Sequence, residues 1–115
     1  MRDNAAFKVL TGAELAELER EGRWAGSADD ARDGYIHLST AAQLTATVDK
    51  HYAAGGDLHV AEVDVEALGD AIRWEASRGG DDFPHLYGAL PLSAVVAYSP
   101  LERDDDGQVR LPVAG

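Results

Sequence analysis

The sequence predicts an α+β fold in a single domain, and three observations carry that prediction. Short apolar runs alternate with helix-period segments in the order β-α-β-α-β-α-β. Two boxes of the form Thr-x-x-Glu/Gln, Thr11 to Glu14 and Thr40 to Gln43, open the two main helices. At 115 residues, 45% hydrophobic and 27% charged, the chain has the size and composition of one globular domain.

The elements follow in order. Phe7 to Leu10 alternates as a strand. From Thr11 a helix runs to about Gly22, with Leu15 and Leu18 on its buried stripe and Glu14, Glu17 and Glu21 on a solvated face. Gly26 to Gly34 is rich in turn residues and reads as an exposed loop. Tyr35 to Leu38 is the next strand. Behind Thr40, the spacing of Leu44, Val48 and Tyr52 predicts a second helix, ended by Gly55-Gly56. Leu58 to Val63 alternates as a strand, Asp64 caps a single helical turn to Gly69, and Ile72 to Glu75 is a short strand. Phe83 to Leu92 carries Pro84, Gly88 and Pro91 without periodicity and reads as a structured loop. Val95 to Leu101 is a strand, and Asp106-Gly107 turns the chain back to Val109 to Leu111. The expected organisation is one domain over residues 1–115, closed by a hairpin or tail over 102–115.

Composition removes several classes of function. Without cysteine there is no disulfide framework, thiolate nucleophile or cysteine-based metal centre. No run approaches the roughly 20 apolar residues of a membrane span, and Met1 to Phe7 lacks the apolar core of a signal peptide, so the expected location is the cytoplasm. A net charge of −11 repels DNA, large RNA and anionic membranes at long range. His51 and His59 complete a set of four histidines, but their spacing matches no metal-binding pattern, and no metal is expected.

Two segments carry candidate chemistry. In a strand over 35–38, Tyr35, His37 and Ser39 share one face while Ile36 and Leu38 face the other. That row is either a ligand-binding edge or a buried histidine satisfied by backbone, and spacing leaves both readings open. In Phe83-Pro84-His85-Leu86-Tyr87-Gly88, Tyr87 can stack on a planar ligand while His85 donates a hydrogen bond or transfers a proton. Phe83, Leu86 and Tyr87 can equally plug the core. Between the two segments, Ser77-Arg78-Gly79-Gly80 can wrap an anionic group, although it is neither a dinucleotide fingerprint nor a P-loop.

Four motifs then fall in a recognisable order: Lys8-Val9-Leu10-Thr11, Gly34-Tyr35-Ile36-His37-Leu38-Ser39-Thr40, Arg73-Trp74-Glu75 with Ser77-Arg78-Gly79, and Phe83-Pro84-His85-Leu86-Tyr87-Gly88. From about residue 7 to 101 the chain resembles the bacterial family called domain of unknown function 952. The resemblance implies a fold similar to ADP-ribosyltransferases and RNA 2′-phosphotransferases, in which small split sheets flank a nucleotide cleft. It implies NAD or an ADP-ribose-type nucleotide as ligand. His37 and His85 then take catalytic roles, and Ser39, Thr40, Arg78 and Tyr87 contact the nucleotide. Many such transferases use a glutamate on a late strand, for which Glu75 and Glu102 are the options here. The alternative is a non-catalytic interaction protein whose acidic surface meets a basic partner.

Overall fold

Phe7 and Val9 point one way along the first strand, Ala6 and Leu10 the other, and each pair has a helix to cover it. The computed structural model describes residues 4–77 and 80–112. Its α-helices and strands run β1 (Ala5–Thr11), α1 (Gly12–Glu21), β2 (Arg23–Trp24), α2 (Ala28–Asp33), β3 (Ile36–His37), α3 (Ala41–His51), β4 (Leu58–Asp64), α4 (Val65–Leu68), β5 (Ile72–Ala76), β6 (Asp82–Leu86), β7 (Leu90–Pro91) and β8 (Val95–Pro100). This is an α+β architecture of three small sheets, ordered β1-β4-β8, β2-β7 and β3-β6-β5. Every pairing is antiparallel.

Alternation along β1 and β4 divides the interior in two. Ala6, Leu10, Ala61 and Val63 pack with Leu15 and Leu18 of α1, Trp24 and Ile36. Phe7, Val9 and Val60 pack with Leu44 and Val48 of α3. Each fully buried aliphatic side chain of this kind stabilises the fold by about 1.5–3 kcal/mol. Both Thr-initiated capping boxes are formed, with Thr11 bonded to the Glu14 amide and Thr40 to the Gln43 amide. Asp64 caps α4 in the expected way. The second main helix stops at His51 rather than at the glycine pair, because Tyr52 leaves helical geometry while its amide still bonds Val48.

Two stretches expected to be loops are regular. Residues 28–33 form α2, capped by Ser27 through a third capping box in which Asp30 takes the place of the usual Glu or Gln. Residues 82–86 form β6, the middle strand of its sheet, despite Pro84. Pro84 has no amide to donate; it stands opposite Trp74 of β5, and its carbonyl accepts the Leu38 amide at 3.1 Å. At the C-terminal end the chain does turn at Asp106-Gly107, but it pairs back only through a bridge between Arg103 and Val109. Val109 is held by the Thr45 hydroxyl at 2.9 Å and closes the α3 side of the core.

One junction positions the site. Ile36 and His37 pair with β6, whereas Ser39, two residues on, exchanges backbone hydrogen bonds with Phe7 of β1 at 2.7 and 2.9 Å. The chain passes from one sheet to the other at Leu38, and His37 stands at that seam.

Candidate functional site

His37 and His85 are directly opposed partners in the β3–β6 ladder, and His85 is also opposite Arg73 of β5. Directly paired residues share a face, as do residues two apart on one strand. That rule places Tyr35, His37, Arg73, Glu75, His85 and Tyr87 on one face of the small sheet, with Ile36, Ile72 and Leu86 buried on the other. The two imidazole centroids lie 5.7 Å apart, and the Tyr35 ring stacks on His85 at 4.0 Å. Tyr87 lies 5.3 Å from Tyr35, and the Arg73 guanidinium sits 4.6 Å from the Tyr87 ring centroid.

The His37 side is built around a buried charge cluster. Asp30, 2% exposed, accepts from His37 Nδ1 at 2.6 Å, from the His37 amide at 3.1 Å and from the Ser27 amide at 2.9 Å. Lys8, 5% exposed, reaches the same carboxylate at 3.1 Å and donates to the His37 carbonyl at 3.0 Å. Strand β1, helix α2 and strand β3 are thus joined through one aspartate. Gly26 makes room for it: φ is +110° there, and an added Cβ would stand 2.8 Å from the Asp30 Cβ. On the far side of the imidazole, Nε2 meets Asp33 at 2.9 Å.

These contacts fix protonation. Burial alone pushes the Asp30 carboxyl up, but the His37 hydrogen bond, the Lys8 ammonium and the two amides outweigh it and hold it well below the usual carboxylate range. His37 is shifted up, first by its hydrogen bond to Asp30 and then, against the cost of burial and the Lys8 charge, by the Asp30 and Asp33 carboxylates. Both ring nitrogens face carboxylate oxygens, and only the imidazolium can donate to both.

The His85 side is different. Nδ1 of His85 donates to Glu75 Oε1 at 2.8 Å, and the Tyr87 hydroxyl donates to the same oxygen at 2.8 Å. Those bonds, from His85 first and Tyr87 second, hold Glu75 below the ordinary carboxylate range, while the Glu75 contact raises the Tyr87 phenol. The other ring nitrogen, Nε2, has no hydrogen-bond partner among the described residues.

Of the residues expected from sequence, the structure gathers His37, His85 and Tyr87 on one face. Ser39 is 4% exposed and its hydroxyl is bonded to Thr47 at 2.8 Å, while Thr40 caps α3, so neither hydroxyl joins the ring cluster. Arg78 lies outside the described residues. Of the two glutamate options, Glu75 belongs to the cluster, whereas Glu102 lies in the C-terminal segment, its carbonyl bonded to the Arg110 amide. Sequence reasoning missed Asp30, Asp33 and Lys8. The Ser27-Ala28-Asp29-Asp30 capping pattern was the available signal for the helix that carries both aspartates.

An open depression of about 350 Å³ lies beside the cluster, lined by Arg23, Asp30, Gly34, Tyr35, Gly88 and Ala89. A second, of about 330 Å³, lies between α3 and the C-terminal segment and is lined by none of the predicted site residues. Among the described residues, no group of three or more histidines and carboxylates is arranged to hold a metal ion, and no helix is long and apolar enough to cross a membrane.

The chain is similar to protein CC0527 from Caulobacter crescentus. Its X-ray crystal structure superposes with a TM-score of 0.84 at 40% identity, covering 92% of this chain and 93% of that one. Its solution NMR structure gives a TM-score of 0.78 at 41% identity, covering 93% and 91%. No curated protein matches the chain. The family model described as "Protein of unknown function (DUF952)" matches residues 9–98, and the chain belongs to that family.

Proposed function

We propose that the histidine face of the β3-β6-β5 sheet binds NAD or an ADP-ribose-type nucleotide, in a domain that resembles the ADP-ribosyltransferases. The observation that carries this reading is the opposed histidine pair, each ring held by side-chain carboxylates rather than by backbone, within a cluster that includes Tyr35 and Tyr87. His37 supplies a cationic donor for a phosphate or ribose oxygen, and His85 supplies a second ring nitrogen, Nε2, that is free to hydrogen-bond a ligand. Tyr35 and Tyr87 offer faces for a planar base. In this reading Glu75, on a late strand and gripped by His85 and Tyr87, is the carboxylate that would stabilise an oxocarbenium-like transition state.

The rival reading, a non-catalytic protein that meets a basic partner through its acidic surface, draws support from Ser39 and Thr40, whose hydroxyls are both committed to structure. Amide NMR spectra recorded with ADP-ribose and with NAD up to millimolar concentration separate the two. The nucleotide reading expects shifts centred on His37 and Tyr87, lost in His37→Ala while the remaining spectrum stays folded. No perturbation in the parent protein would overturn it and leave the interaction reading.

A further inference from the structure

The two hydrogen bonds of the His37 ring are unequal. The inner one, to Asp30, joins a carboxylate that is 2% exposed and held from four directions. The outer one, to Asp33, joins a carboxylate that is 35% exposed, sits on the last residue of α2, and among the described residues is otherwise tied only to Arg32, itself 70% exposed. Inside this cluster the Lys8 ammonium and the doubly hydrogen-bonded His37 ring face the single negative charge of Asp30, so the excess positive charge falls on the His37 ring, which is 38% exposed. Asp33 restores neutrality from the solvent side.

We infer that the outer N–H of His37 is a subsite for an anionic phosphate oxygen, and that Asp33 is its internal occupant, displaced when the ligand binds. The excess charge sits on a half-exposed imidazolium whose outer N–H faces solvent, and a partner that is exposed and weakly held there is the one that can exchange. A phosphate oxygen accepts the Nε2 proton with the geometry the carboxylate oxygen now has, and its charge takes over the same neutralisation. The groups around the ring agree with exchange at that position alone. Lys8 from β1 and Asp30 from α2 close the inner side, and the Tyr35 ring lies 4.7 Å away. Glu75 from β5, the other carboxylate of the face, is occupied by His85 and Tyr87. Arg32 is released from Asp33 by the exchange and remains paired with Asp29 at 3.2 Å.

This subsite deepens the nucleotide reading by naming phosphate as the group that His37 takes, but inorganic phosphate tests it independently. The full chain and its Asp33→Ala variant are titrated with inorganic phosphate while the His37 ring nitrogens are followed by NMR. The expected result is a phosphate-dependent shift at Nε2 with little change at Nδ1, and binding about three- to fivefold tighter in the variant, the scale set by removing one exposed ionic competitor. Asp29→Asn removes a charge from the same helix and from the same Arg32, and is expected to leave phosphate affinity at His37 unchanged. Equal affinity in Asp33→Ala and the parent, or an equal gain in Asp29→Asn, overturns the inference, since the first denies displacement and the second reduces it to net charge. ADP-ribose binding that is indifferent to Asp33 would remove the subsite and keep the nucleotide reading. Phosphate at His37 without any ADP-ribose binding would do the reverse.

Discussion

His37 and His85 face each other across one strand pair, yet their surroundings could hardly differ more. His37 is 38% exposed, but its anchor is buried: Asp30 lies under it, and Lys8 and two amides lie under Asp30. His85 is itself 6% exposed, but its anchor, Glu75, is 38% exposed at the rim. One ring is an exposed group on a buried clamp, and the other is a buried group on an exposed clamp. The contrast teaches where stability and chemistry are coupled: disturbing the His37 side reaches the seam between sheets, whereas the His85 side can be altered from solvent.

The strongest way to break that contrast is to remove the buried anchor. Asp30→Ala leaves the Lys8 ammonium buried without its partner and is expected to cost about 3–5 kcal/mol in urea unfolding. Lys8→Met removes the opposite charge but leaves Asp30 bonded to His37 and two amides, so its cost is expected to be smaller, about 2 kcal/mol. A larger loss from Lys8→Met than from Asp30→Ala would show that the cation rather than the aspartate is the centre of the cluster.

A second effect is the pH dependence of stability. His37 is raised above its ordinary value of 6.5, so the stability it contributes is complete below that pH and is lost as pH rises through the folded-state value. Asp30 is lowered from 3.8, so its contribution is present above that pH and is lost as pH falls through the folded-state value. Thermal unfolding followed against pH should therefore place the cluster's fullest contribution between about 4 and 6.5, with the upper limb flattened in Asp30→Asn. An NMR titration placing His37 at or below 6.5 would contradict the clamp.

The smallest expected effect on stability is on the other side of the pair. Glu75→Gln should leave unfolding nearly unchanged, because the carboxylate is at the rim. It should lower the Tyr87 phenol back toward 10.0, seen in a spectrophotometric titration, and weaken the hydrogen bond at His85 Nδ1, seen in ring nitrogen shifts. A phenol that does not move would dissociate Tyr87 from Glu75.

Much of the frame was legible in the residues because it depends on local rules. The Thr11 and Thr40 caps, the stripe of Leu15 and Leu18, and the shared face of Tyr35 and His37 all follow from spacings of two to four residues. Strand β6 is not legible in the residues, because Pro84 argues against a central strand when its neighbours are unknown. Helix α2 is hidden in the same way, because six residues with Asp, Ser and Gly around them carry a turn composition, and only burial reveals that Asp30 is the carboxylate on which the seam is built.

The sequence by itself determined the α+β class, the helix starts and the identity of the two histidine segments, since hydrophobic period and capping act within a few residues. Only the tertiary structure decided that His37 opposes His85, that Lys8 reaches Asp30 across 22 positions of chain, and that Glu75 joins His85 and Tyr87. Strand register and the pairing of buried charges depend on which distant segments are brought together, and the free energy that decides them is counted over the whole core rather than along the chain.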